Sequence, residues 1–173
     1  NSGLTANSGA IVPMRCYPTL PGLLTRAGYQ TRAQGKMHFH PMRANYGFEH
    51  MELLMEYYRE RHRNAYAGLP KEHGVGENEI TPVISTVDEV NSLTYWTVRR
   101  SIDFLETRDN TRPFFLWTSF AKPHPPFDPC ASYWALYQNR DLPVPVIGDW
   151  SETVENTPQA FLLPTYCLNN AYR

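Results

Sequence analysis

The feature that most restricts the fold is a seven-residue run, Phe114-Phe115-Leu116-Trp117-Thr118-Ser119-Phe120, that is almost continuously apolar and aromatic. It follows a turn signal, Asp109-Asn110-Thr111, and opens behind Pro113. Such a run suits a strand buried on both faces, as in a parallel sheet covered by helices. Before it, the spacing predicts a helix from about Val90 to Arg108. Val90, Leu93, Val98, Ile102 and Leu105 form its apolar stripe, widened by Trp96 and interrupted by Thr97. The same order occurs earlier in the chain. Leu20, Leu23, Leu24 and Ala27 recur at helical spacing, with Thr19 as the cap, Pro21 in the first turn and Gly28 past the end. A short strand, Tyr29 to Gln34, follows. Helix and strand thus alternate twice, which argues for an α/β architecture.

Between these units, His40 to Glu49 reads as a loop because of Pro41, Asn45 and Gly47, and Met51 to Arg63 reads as a helix from its helix-forming residues. Asn64 to Thr86 has no period and is broken by Gly68, Pro70, Gly74, Gly76 and Pro82, as a long loop would be. Tyr133 to Asn139 reads as a short helix, and the residues before Val12 and after Asp141 read as loop. No internal repeat is present.

Composition excludes several classes. Sixteen basic and seventeen acidic residues give a formal charge of -1, without the basic field that a nucleic-acid partner requires. No apolar run approaches the roughly 18 residues needed to span a bilayer. Cys16, Cys130 and Cys167 are widely spaced and form no CxxC pair, so they read as unpaired or packing thiols. A metal site at His38 and His40 lacks further ligands at suitable positions. No secretory leader is visible in a chain that begins at Asn1, and the compartment stays open.

Two clusters carry chemistry, and each follows a strand. The first is Gly35-Lys36-Met37-His38; the second is Lys122-Pro123-His124-Pro125-Pro126-Phe127-Asp128-Pro129. Open α/β sheets bind ligands at the carboxyl ends of their strands, so two such loops can face one pocket. Lysine supplies a compact positive charge for an oxyanion, and histidine can donate a hydrogen bond or act as a general acid near neutral pH. Together they suit a tetrahedral anion such as sulfate or phosphate. Lys122 fits two readings equally, an anion contact and a solvated lysine beside the pocket. His40, Arg43 and His50 read mainly as loop or specificity positions, with substrate contact as the alternative.

Thr19 to His38, with Ala27-Gly28-Tyr29-Gln30-Thr31 leading into Gly35-Lys36-Met37-His38, resembles a segment of the sulfatase family within the alkaline phosphatase superfamily. Asn45 to Glu56, containing Tyr46-Gly47-Phe48-Glu49, resembles the stretch that follows, and Pro113 to Pro129 resembles the family's later Pro-His-x-Pro segment. The order and spacing of all three agree, and the likeness fades after about Trp150. The resemblance implies a mixed sheet flanked by helices, with residues 1–173 as an internal part of one catalytic domain. It implies hydrolysis of sulfate esters, of a sulfated small molecule or sulfated sugar, with a formylglycine nucleophile and calcium. Lys36 and His38 would contact the sulfate and the nucleophile's oxygens, and His124 would contact the sulfate and protonate the leaving group. A phosphonate or phosphate ester hydrolase of the same superfamily would use much the same residues, and an inactive remnant that only binds anions is the alternative of another class.

Two parts of the family pattern are missing. Cys16 is followed by Pro18, but Leu20 stands where the Cys/Ser-x-Pro/Ala-x-Arg motif needs Arg, and Cys16 lies too close to Lys36 to be the nucleophile. The paired acidic residues that would hold calcium are absent too, and Asp128 is explained by the Pro-rich turn. The nucleophile and the first metal ligands are expected before Asn1, and the second metal pair after Arg173. Without the family's first strand, Phe114 to Phe120 is expected to have an unpaired edge and an exposed apolar face, so the isolated segment is expected to be poorly stable or to aggregate.

Overall fold

Thr19 starts the described structure as a helix cap. Its hydroxyl accepts a hydrogen bond from the Gly22 amide at 3.2 Å and donates to the Tyr46 carbonyl. Helix α1, Leu20–Arg26, carries Pro21 in its first turn and ends in a Schellman motif: Gly28 N–H donates to Thr25 O and Tyr29 N–H to Leu24 O, both at 3.0 Å. Gly28 supplies the left-handed backbone, φ 90°, that this ending needs. The computed structural model describes residues 18–39, 41–63, 82–144 and 146. They belong to two compact units, one comprising Asn1–Gly68 with Leu93–Ala121, the other Leu69–Ser92 with Lys122–Arg173.

The first unit holds a three-stranded sheet. Strand β1, Gln30–Gly35, lies between β2, His50–Leu53, and β3, Phe114–Ser119, and both pairings are parallel. Helix α2, Leu54–Arg63, follows β2, and α3, Leu93–Thr107, precedes β3. Side chains alternate between the two faces of β1. On one face, Thr31 bonds Thr25 of α1 at 2.6 Å, while Phe48 stacks on Phe115 at 6.0 Å and lies 6.2 Å from Trp117. On the other, Arg32 lies over the Phe104 ring of α3, and Thr118 bonds Ser101 of α3 at 2.8 Å. Beside the sheet, Tyr57, Leu93 and Trp96 form a buried cluster with Leu54, Tyr58 and Ala121 packed against it. The result is an α/β sandwich with helices on both faces. No helix among the described residues is long and apolar enough to cross a membrane.

Three expectations need correction. The helix expected over Met51 to Arg63 begins only at Leu54, because His50–Leu53 pairs with Arg32–Gly35 and becomes β2. The expected stripe of α3 is turned: Leu93, Trp96, Thr97, Ser101 and Phe104 are buried, whereas Val98, Ile102 and Leu105 are exposed. The inward hydroxyls are satisfied, that of Thr97 by Leu93 O within the helix and that of Ser101 by Thr97 O and Thr118 of β3. Strand β3 is not buried on both faces. Among the described residues it pairs with β1 alone, and Phe114, Trp117 and the following Phe120 are exposed.

The second unit contains a single turn of 3-10 helix, Glu89–Asn91, and helix α4, Ala131–Tyr137. Tyr133 of α4 donates its hydroxyl proton to Glu89 at 2.6 Å, and that bond, with the carboxylate's charge, pushes the phenol's pKa up. The expected loops before Val12 and over residues 64–81, and most of the tail after Asp141, lie outside the described residues.

Thr19 ties α1 to a turn with uncommon geometry. Tyr46 has φ 45° and Gly47 φ 95°, and a Cβ on Gly47 would lie 2.4 Å from the backbone of Gly22. A left-handed non-glycine residue carries a penalty of about 1–2 kcal/mol, which the Thr19 bond to Tyr46 O helps to offset. Thr19→Ala removes that bond and the cap together, and is expected to lower unfolding stability by about 1–2 kcal/mol. Urea denaturation checks this; an unmoved midpoint would count against it.

Candidate functional site

Gly35 decides where β1 ends. Its φ of 94° turns the chain out of the sheet, and a Cβ there would lie 2.1 Å from the Ser119 carbonyl oxygen. That carbonyl instead accepts the Lys36 amide at 2.9 Å, the last rung between β1 and β3. Three residues on, Phe39 folds back onto the aromatic face, with ring centroids 5.1 Å from Tyr46, 6.3 Å from Phe48 and 6.5 Å from Trp117. Lys36, Met37 and His38 therefore form a short arch pinned at both ends, on the carboxyl edge of the sheet.

Several arginines of this unit are paired. Arg32 is paired with Glu52, Arg43 with Glu56, Arg100 with Glu60 and Arg112 with Glu49. The side chains of half-buried Lys36 and exposed His38 make no hydrogen bond or ion pair to another described residue. An ammonium and a histidine with no such partner among the described residues are the groups here that an anion could meet without breaking a bond between them.

In the second unit, Lys122 and His124 share a proline-rich loop with cis peptide bonds at Lys122-Pro123 and Pro125-Pro126. The loop is tied down by Val83 N–H on Phe127 O and Ser85 N–H on Pro129 O, both at 3.0 Å. Lys122 does not stand free: its ammonium pairs with the buried Asp128 carboxylate and donates to Pro126 O at 2.6 Å. His124 is exposed, and its Nδ1 lies 2.7 Å from Pro125 O. A carbonyl can only accept, so Nδ1 carries the proton and Nε2 is the ring position open to a ligand.

The remaining candidates lie elsewhere. His40 falls outside the described residues, as do Cys16 and Cys167. Arg43 is held by Glu56 at 2.8 Å, and Glu56 also accepts the Leu53 amide at 2.7 Å, so this arginine fastens its loop to the start of α2. His50, expected in a loop, opens β2 opposite Arg32, three residues short of the carboxyl edge, or about 10 Å along the strand. Among the described residues, no group of three or more His, Cys, Asp and Glu side chains could hold a metal ion. Asp128 in particular already faces an ammonium. The described residues therefore do not fit a calcium ion.

Sequence reasoning missed Asp128 as the partner of Lys122, and Phe39 as the anchor of the arch. The Asp128 signal was present as a Lys and an Asp six residues apart around a proline turn. Cys130 is half-buried; burial, and then the charge of Glu89, push its thiol pKa up. Its alkylation by iodoacetamide at neutral pH is expected to lag behind that of an unperturbed thiol and to accelerate only as the solution becomes more alkaline. Peptide-resolved mass spectrometry checks this, and labelling as fast as a free thiol at neutral pH contradicts it.

Parallel strands with helices on both faces, and a lysine and a histidine at the carboxyl edge, define an α/β domain of the kind whose ligands lie at its strand ends. Residues 1–157 match the Sulfatase family model, and the chain belongs to the sulfatase family. It is 33% identical over 155 residues to an arylsulfatase of Clostridium perfringens, covering 77% of this chain and 32% of that protein. It is also 33% identical over 147 residues to a choline-sulfatase of Rhizobium meliloti, covering 76% of this chain and 28% of that one. The chain thus spans about a third of the length of these relatives. Among solved structures it is similar to BT4656 in complex with its substrate D-Glucosamine-2-N, 6-O-disulfate, with a TM-score of 0.47 and 21% identity, over 88% of this chain and 32% of that one.

Proposed function

We propose that the whole protein is a sulfuric ester hydrolase, and that this stretch supplies part of its catalytic domain. The observation that carries the reading is the arch, where Lys36 and His38 stand unpaired among the described residues at the carboxyl edge of the central strand. Membership of the sulfatase family supports it. Lys36 and His38 bind the non-bridging sulfate oxygens and stabilise charge as the S–O bond breaks. His124, doubly protonated with Nδ1–H held on Pro125 O, gives its Nε2 proton to the leaving alcohol oxygen. The formylglycine nucleophile and a calcium ion that screens sulfate charge belong, on this reading, to other parts of the protein. Sulfated aryl compounds and sulfated sugars both fit the chemistry.

The test is turnover of 4-nitrophenyl sulfate and phenylphosphonate esters by the full-length protein, with and without a calcium chelator. Faster sulfate ester hydrolysis that the chelator abolishes is expected. A preference for the phosphonate would assign the protein to the phosphonate and phosphate ester hydrolases of the superfamily. Absence of turnover, with sulfate binding that weakens in Lys36→Ala, would make it an inactive anion-binding remnant.

A further inference from the structure

We propose that Lys122 is a positioning residue for His124, acting with Asp128 as a clasp, rather than a contact to the substrate anion. This rests on the reading of His124 as the group that protonates the leaving oxygen. The chain of contacts is continuous. The Asp128 side chain is 2% exposed and faces the Lys122 ammonium. A buried carboxylate is costly unless paired, so the lysine is held where Asp128 fixes it. The same ammonium donates to Pro126 O. Pro126 follows directly on the peptide group whose carbonyl, Pro125 O, accepts the proton of His124 Nδ1. Fixing Pro126 therefore fixes the acceptor that selects the histidine tautomer and leaves Nε2 outermost.

Charge balance argues against the competing role. The Lys122 ammonium has three donors, of which one is taken by Asp128 and one by Pro126 O. Its charge is balanced within the loop, so a bound anion would have to compete with a carboxylate that has little access to water. Val83 and Ser85, bonded to Phe127 O and Pro129 O, hold the backbone on either side of Asp128, and the clasp closes on a braced loop.

The test compares two substrates of the full-length protein, 4-nitrophenyl sulfate, whose leaving group needs little protonation, and phenyl sulfate, whose leaving group needs more. Lys122→Met and Asp128→Asn are each expected to lower kcat for phenyl sulfate at least about tenfold more than for 4-nitrophenyl sulfate, with KM changed less than about twofold. His124→Asn should show the same pattern, and Lys122→Arg should largely restore the wild-type ratio. A KM rise of equal size for both substrates in Lys122→Met would overturn the clasp and make the lysine a sulfate contact. An equal fall in kcat for both, tracking a lower melting temperature, would overturn it in favour of a purely structural ion pair.

Nitrogen-15 NMR of the imidazole separates the clasp from the catalytic reading. The neutral ring should carry its proton on Nδ1 in the wild type and lose that preference in Asp128→Asn. If His124→Asn has no leaving-group dependence while the tautomer still shifts, the role of His124 fails and the clasp stands. If the tautomer is unchanged, the clasp fails whatever the kinetics show.

Discussion

Replacing Gly35 with alanine is expected to lower stability by about 3 kcal/mol or more, through two additive strains. A Cβ at this position would lie 2.1 Å from Ser119 O and 2.9 Å from Thr97 Cγ2, and the φ of 94° is one that L side chains rarely adopt. The first contact is with backbone, so no rotamer change relieves it. Relief requires β3 to move away from β1, which breaks the Lys36 amide bond to Ser119 and releases one foot of the arch. Folded domains have only about 5–15 kcal/mol in hand, so the loss is a large share of the total. Chemical denaturation of Gly35→Ala beside wild type measures it directly. A melt within error of wild type would falsify the account of why β1 stops here.

Lys36→Ala is expected to have the largest effect on function, a fall of about 100- to 1,000-fold in kcat/KM for a sulfate ester, with stability nearly unchanged. The stability claim follows from the lack of any side-chain bond between Lys36 and another described residue. The activity claim follows from the proposed contact with sulfate oxygens, whose charge grows as the ester bond breaks. Lys36→Arg should recover only part of the loss, because a planar guanidinium does not reproduce the point charge of an ammonium on a short arch. Steady-state kinetics with a parallel thermal melt distinguish the two effects. Unchanged kcat/KM with a normal melt would remove Lys36 from the site.

The legible parts of the fold were those with local causes. Thr19, Pro21 and Gly28 punctuate α1 through caps and turns that act within a few residues, and the strand after them ends at a glycine whose successor is the candidate anion ligand. The parts that were misread have long-range causes. His50-Met51-Glu52-Leu53 consists largely of helix formers, and pairing with β1, some eighteen positions earlier at Arg32, makes it a strand. On α3, hydropathy pointed to Val98, Ile102 and Leu105, but Ser101 faces the sheet and bonds Thr118 there, while Thr97 satisfies its hydroxyl within the helix on Leu93 O.

The site was legible to a similar extent and for the same reason. Lys36, His38 and His124 were visible as candidates from residue type and position after a strand. That Lys122 is already neutralised was not, because Asp128 looked like an ordinary turn residue until its burial was known. Arg43 was likewise a free cation only on paper; Glu56, thirteen residues later, holds it.

The pairing of β1 with β3 makes the position of the arch a discrete quantity. Sliding β3 by one residue would move Ser119 by about 3.3 Å and turn every side chain of the strand to the opposite face. Trp117 would leave Phe39 and Phe48, and Thr118 would leave Ser101 for an aromatic surface. Neither face tolerates the exchange, so small errors in register have no low-energy form. The carbonyl that holds Lys36 is thus either in place or absent, and the arch inherits an all-or-none geometry from two unlike faces of one edge strand.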